Sequence, residues 1–129
     1  QFLKKDGLDY AHGTGHGVGF FLNVHEGPQS ISKYNSVKLE EGMVISNEPS
    51  YYKKGHFGIR IENLVFIKKN NKKLNFENLT LAPIEKDLIN FDLLSKKEKD
   101  YLFVYHLNVY AKLSRFLNGE EKKWLASLI

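Results

Sequence analysis

HGTGHGVGFFLNVHEGP, residues His12 to Pro28, is the stretch whose reading decides the fold of this 129-residue chain. Read as an extended strand, it sends His12, Thr14, His16 and Val18 to one face and leaves Gly13, Gly15, Gly17 and Gly19 bare on the other. Glycine inside a strand weakens it unless another layer must come close. The alternation therefore predicts a main chain packed against a neighbour, with polar side chains aimed into a cavity. A helical His-x3-His pair is the poorer reading, because each glycine costs a helix about 1 kcal/mol relative to alanine.

Working outward, two carboxylates follow in strand-like contexts. In GMVISNEP, Val44, Ser46 and Glu48 share a face. In FGIRIENLVFI, read as part of one strand from Phe57 to Lys68, Gly58, Arg60, Glu62, Leu64 and Phe66 share a face opposite Phe57, Ile59, Ile61, Asn63, Val65 and Ile67. A carboxylate in so apolar a strand is costly unless a charged partner or a metal receives it. One imidazole with two carboxylates is an incomplete but chemically suitable shell for Mn, Co, Fe or Zn. On these residues alone, a satisfied core histidine beside a structural ion-pair network remains the open alternative.

Together the segments HGTGHGVGFFLNVHEGPQSIS, LEEGMVISNEP, YY and FGIRIENL, from Asp9 to Leu64, resemble the Xaa-Pro aminopeptidase (aminopeptidase P) branch of the pita-bread metallopeptidases. The resemblance implies an α+β chain: the C-terminal part of a pita-bread (creatinase/aminopeptidase-like) fold with antiparallel strands, followed by a helical tail. In that family two aspartates, one histidine and two glutamates hold two divalent metal ions, here expected to be manganese, with cobalt or zinc as alternatives. His16, Glu48 and Glu62 match the last three ligands. Asp6 and Asp9 do not sit in the aspartate motif, so the resemblance places both aspartates upstream and expects the 129 residues alone to be inactive.

The same resemblance implies the remaining roles. Glu48 would also be the general base and Glu62 would bridge the ions, with a bridging hydroxide as nucleophile. His25 would bond the substrate or shuttle a proton, and His12 would line the substrate pocket. Arg60 would contact an upstream aspartate, with the Tyr52 hydroxyl near the site. The implied reaction removes the N-terminal residue from peptides with proline second. A prolidase-like dipeptidase and a non-catalytic protein-binding module are the alternatives; the metal-free creatinase branch is disfavoured by the three retained ligand positions. Ser50 stands where the family has glycine after Glu-Pro, and Ser30 where glycine is common.

Composition sets outer bounds. With 42% hydrophobic residues the chain can build a core. It has no cysteine, hence no disulfide framework or thiolate ligand, which fits a reducing, cytoplasmic setting. No apolar run is long enough to span a membrane and no signal peptide is visible. Because residue 1 is glutamine, an upstream targeting segment is compatible with the sequence. The net charge of +4 comes mainly from scattered lysines. The densest group, Lys68, Lys69, Lys72 and Lys73, surrounds Asn70-Asn71 and reads as a hairpin tip rather than a nucleic-acid surface.

In chain order, Gln1 to Tyr10 reads as a helix end and turn, and residues 29–38 as a polar surface loop. A strand over Met43 to Glu48 ends at Pro49, a turn follows at Lys53 to Gly55, and short extended pieces lie near Leu74–Phe76 and Leu79–Ala82. Residues 1–90 form the expected pita-bread portion and 91–129 the helical extension. Ser95-Lys-Lys-Glu98 is a capping box that starts a helix. Its stripe of Tyr101, Leu102, Tyr105, Val109, Leu113, Phe116 and Leu117 is expected to stop at Asn118-Gly119, before a short second helix with Trp124, Leu125 and Leu128 on one side. His56, in a turn, and His106, in the helix, read as surface or packing residues. The resemblance further implies that such a tail supports a homodimer, although core packing explains the stripe equally well.

Overall fold

The computed structural model describes residues 2–21 and 23–129; Gln1 of the lead-in and Leu22 of the histidine stretch lie outside it. The chain divides into two compact units, Gln1–Thr80 and Leu81–Ile129.

In the first unit a short helix, α1 (Phe2–Lys5), ends in a turn at Gly7, whose φ of +70° suits a residue without Cβ. The main sheet has the order β3-β6-β7, built from β3 (Val44–Asn47), β6 (Asn63–Asn70) and β7 (Lys73–Asn78), all antiparallel. Alternation along β3 and β6 buries Ile45, Val65 and Ile67, and Ile31, Leu39 and Met43 pack against them. The lysine-rich tip is the expected hairpin turn, with Asn71 in the left-handed conformation (φ 56°) that asparagine tolerates. Strand β7 runs further than the predicted piece at Leu74–Phe76.

Two departures from the sequence reading shape the site. The strand expected from Phe57 to Lys68 is broken into β5 (Phe57–Arg60) and β6, and β5 pairs with a separate strand, β4 (Ser50–Lys53). The cause lies opposite, at Pro49, which has no amide hydrogen to give the ladder. Its carbonyl still accepts from Ile61 N at 3.3 Å. The pairing register is nevertheless the same on both sides of the gap, with Asn47 facing Asn63 and Ser50 facing Arg60. Glu48 and Glu62 therefore stand opposite each other at the break.

The histidine stretch is the second departure. Among its described residues only Gly15–His16 is regular strand (β1), paired with β2 (Ser30–Ile31) inside what the sequence suggested was a loop. After a bridge from Gly17 to Ile45 the chain folds back on itself, with Gly19 N donating to Asn23 O at 2.8 Å and Glu26 N to Gly17 O at 3.0 Å. The bare glycine face does meet another backbone. A Cβ on Gly15 would lie 1.9 Å from the Ser46 carbonyl oxygen. That close approach lets Glu48 N donate to Thr14 O (2.7 Å) and Val18 N to Val44 O (3.2 Å), fastening β1 to β3.

The second unit is helical. Helix α2 (Lys96–Leu113) starts at the predicted capping box: Ser95 Oγ accepts from Glu98 N, and Glu98 Oε2 from Ser95 N. It ends earlier than the stripe suggested, passing into a 3-10 turn at Ser114–Phe116. Asn118 is not its terminator but the N-cap of α3 (Gly119–Ser127), where it forms a second capping box with Glu121. Tyr105, Val109 and Leu125 form the core, with Ile84, Leu113 and Leu117 against them. Of the predicted apolar faces, Leu102 and Leu125 are buried, whereas Tyr101, Phe116 and Trp124 are exposed. Among the described residues no helix is long and apolar enough to cross a membrane.

His106 resolves to a packing residue, 5% exposed, whose Nε2 accepts from Ile84 N at 3.0 Å while Tyr105 Oη donates to Ala82 O at 2.7 Å. These bonds tie residues 82–84 to α2. An amide only donates, so the bond requires an unprotonated Nε2. Burial, with the nearby Lys86 charge, holds the imidazole below its ordinary pKa. A folded-state pKa below the unfolded one makes this contribution complete above about pH 6.5 and lost as the pH falls through the folded value. Denaturation midpoints should drop over that acid range. In His106→Gln, which offers an acceptor that does not titrate, this part of the drop should vanish.

Candidate functional site

The site begins with a conflict. Like charges directly opposite on an antiparallel ribbon repel, and the common register sets Glu48 against Glu62. A cation from the neighbouring ladder position relieves this: Arg60 Nη1 lies 2.8 Å from Glu48 Oε2 and 3.7 Å from Glu62 Oε2. Glu48 is 7% exposed, and a carboxylate so buried must be matched in charge and hydrogen bonding. Its Oε1 accepts from the Ser46 hydroxyl at 3.0 Å.

His16 approaches the same carboxylate from β1, its Nε2 3.4 Å from Glu48 Oε1. The other ring nitrogen, Nδ1, is 3.0 Å from Gly17 O. A carbonyl can only accept, so Nδ1 carries a hydrogen and Nε2 is the ring nitrogen that faces the carboxylate. An imidazole nitrogen beside a carboxylate oxygen is held there by a proton or a metal cation between them. With Glu62 across the break, the imidazole and carboxylates fit part of the shell of a hard or borderline divalent ion. It is only part of one: among the described residues no three histidine, aspartate or glutamate side chains form a ready metal cage, and a guanidinium stands where the two glutamates meet.

With Gly19 N bonded to Asn23 O and Glu26 N to Gly17 O, the His25 ring lies on that of His16, centroids 3.9 Å apart and planes 34° apart. His12 sits at the other edge. Its Nδ1 is 2.7 Å from Gly13 O and its Nε2 3.0 Å from Tyr52 Oη, which also lies 3.1 and 2.7 Å from Arg60 Nε and Nη2. The proton order follows from the donor inventory. Arg60 only donates, so Tyr52 accepts twice and gives its own hydrogen to His12 Nε2. Tyr10 stacks on His12 (centroids 4.8 Å), with Tyr10 Oη 2.7 Å from Thr14 Oγ1. The Ser50 hydrogen bond and then Arg60 hold the Tyr52 phenol below its ordinary pKa against the opposing charge of Glu48. The bond to Tyr52 raises that of Arg60.

Thus His12, His16, His25, Glu48, Tyr52, Arg60 and Glu62 fall into one connected group, although three strands and four irregular segments supply them. Within the chain Arg60 spends its hydrogen bonds on Glu48 and Tyr52. Tyr52 lies on β4 rather than on a loop, with Ser50 buried and bonded to the Glu48 carbonyl at 3.0 Å. Sequence reasoning passed over Ser46. The alternation had put it on the face of Glu48, but nothing marked its hydroxyl as a bridge. His56 lies in the turn between β4 and β5, exposed as expected.

A model described as metallopeptidase family M24 matches residues 1–69, and one for the C-terminal region of peptidase M24 matches residues 72–128. The chain is 49% identical to a protein of Botryotinia fuckeliana named probable Xaa-Pro aminopeptidase P, over 97% of this chain and 21% of that one. A protein of the same name from Sclerotinia sclerotiorum is 48% identical over 97% and 23%. The chain thus spans about a fifth of the length of the curated relatives it matches. Among solved structures, it is similar to an X-prolyl aminopeptidase of Caenorhabditis elegans, described as a cytosolic enzyme with a di-nuclear active site. The TM-score is 0.89 at 39% identity, over 98% of this chain and 22% of that one. The antiparallel strands and helical tail are accordingly those of the pita-bread aminopeptidase fold.

Two outcomes follow from the geometry. Gly15→Ala drives a methyl group into the Ser46 carbonyl; strand β1 must lift from β3, at a cost of about 1–3 kcal/mol measurable by chemical denaturation. In an ultraviolet difference titration Tyr52→Phe removes a phenol that ionises earlier than an ordinary tyrosine, and Arg60→Gln moves that ionisation to higher pH.

Proposed function

Because the chain belongs to metallopeptidase family M24, whose model covers more than half of it, we propose that it is part of a metal-dependent aminopeptidase that removes the N-terminal residue preceding proline. The observation that supports this most is the meeting of His16 Nε2 with Glu48, across from Glu62. His16, Glu48 and Glu62 would hold two divalent ions together with two aspartates from upstream in the same protein. Manganese is the favoured metal, cobalt and zinc being chemically close. When bound, the ions supply Lewis acidity, polarising the scissile carbonyl and acidifying water.

The chain's own groups do the rest. Glu48 takes the proton of the attacking water as its oxygen bonds to the carbonyl carbon. It returns a proton to the proline nitrogen when the C–N bond breaks. His25, held on His16, donates to the developing oxyanion. His12, fixed by Tyr52 and Tyr10, lines the pocket for the peptide. Arg60 holds the Glu48 carboxylate aimed, and in the whole protein would also meet one of the aspartates. The relatives' names and the cytosolic enzyme among the similar structures support a cytosolic enzyme acting on proline-containing peptides; that it works as a homodimer, without nucleic-acid or membrane partners, is part of the same proposal.

The test uses the full-length protein. Native mass spectrometry should read two metal ions per catalytic unit. Xaa-Pro tripeptides should be cleaved, with activity lost to a chelator and regained with Mn2+. Glu48→Gln and Glu62→Gln should each lower kcat by at least about a hundredfold. Cleavage confined to Xaa-Pro dipeptides would make the protein a prolidase, and metal-free material without peptidase activity would make it a binding module.

A further inference from the structure

Ser46 is a residue to which the site reading gives no role, yet it is among the most enclosed side chains of the described structure, with no exposed surface. It lies on β3 facing Leu64 of β6, two residues before Glu48 and across from β1. Its Oγ accepts from the backbone N–H of His16 at 2.9 Å and donates to Glu48 Oε1 at 3.0 Å. The direction is set by chemistry. The amide can only donate and the ionised carboxylate can only accept, so the single hydroxyl hydrogen goes to Glu48.

We propose that Ser46 is the positioning residue that sets the distance between the His16 and Glu48 ligands, and so the affinity of the site for a divalent ion. This rests on the metallopeptidase reading. Among the described residues, the Ser46 hydroxyl is the one side-chain group that bonds both the strand carrying the imidazole and the carboxylate that meets it. The surroundings leave it little freedom. Glu48 N is held by Thr14 O and Val18 N by Val44 O, on either side of His16. Gly15 leaves no room for a Cβ against the Ser46 carbonyl. Between these fixed points the His16 amide has only the Ser46 hydroxyl as its acceptor on β3. With the hydroxyl gone, a buried N–H loses its partner, and Glu48 Oε1 loses the bond that turns it toward His16 Nε2. Arg60 still holds Oε2, so the carboxylate stays in place but can pivot. Groups of this kind behind metal ligands are typically worth about ten- to a hundredfold in metal affinity or activity.

The experiment compares full-length wild type, Ser46→Ala and Ser46→Thr by calorimetric titration of the metal-stripped proteins with Mn2+ and with Zn2+. Turnover of an Xaa-Pro tripeptide is measured alongside at saturating metal. The Ala protein should bind metal about ten- to a hundredfold more weakly, with a lower kcat and little change in KM. The Thr protein, which keeps the hydroxyl, should bind as wild type does. If the Ala protein does not fold, Ser46→Cys, close in volume but weak in both bonds, should show the same loss. Wild-type affinity in the Ala or Cys protein overturns the role of Ser46 and leaves the metallopeptidase reading intact. A loss in Ser46→Thr as large as in Ser46→Ala also overturns it, since packing rather than the hydroxyl would then be at work. Failure of the wild type itself to bind either ion overturns the metallopeptidase reading, and the proposal with it.

Discussion

Two carboxylates face each other across a broken ladder, and the rest of the first unit is arranged to make that tolerable. The register sets the buried Glu48 opposite the exposed Glu62. A buried carboxylate beside a like charge persists only where positive charge or hydrogen bonds offset it. Arg60 supplies the charge from within the chain, Ser46 a hydrogen bond, and His16 a ring nitrogen 3.4 Å from Glu48 Oε1. A bound cation would remove the same conflict more completely.

The break is itself a chemical consequence. Proline at 49 removes one donor from the β3-to-β6 ladder, and the ladder is interrupted there without slipping register. Register conservation matters because a one-residue slip would send one glutamate to the opposite face. Beyond the gap, β4 and β5 bring Arg60 to both carboxylates and Tyr52 to Arg60. One missing amide hydrogen thereby sets both where the acids lie and what approaches them.

Close packing of β1 on β3 is the second requirement. Only a residue without Cβ fits at Gly15, and the contact brings His16 from a strand of two residues to a carboxylate 32 positions later in the chain. The remaining glycine-rich backbone is not strand at all. It turns, and the turn stacks His25 on His16. The helical unit follows simpler rules. Two capping boxes set its helix starts, and a small core of Tyr105, Val109 and Leu125 closes around them.

Much of this was legible in the residues. The capping box at Ser95 depends on local hydrogen bonds and appears where its pattern stands. The Asn70-Asn71 tip is a turn because asparagine tolerates the left-handed region. The alternation sets Val65 and Ile67 on the face that proves to be core, and the family resemblance groups the histidines and glutamates. What the sequence could not settle depends on partners distant along the chain. Asn118 could end one helix or begin the next until Glu121 answered it. The stretch from Phe57 to Lys68 could be one strand until Pro49 was set opposite Ile61. Ser46 was an ordinary strand serine until β1 came near enough to give it an amide. Residue types and local bonding determined which chemistry the chain carries; only the tertiary pairing of β1, β3 and β6 decided which groups meet, because a hydrogen bond or a charge contact exists only at the distance the packing allows.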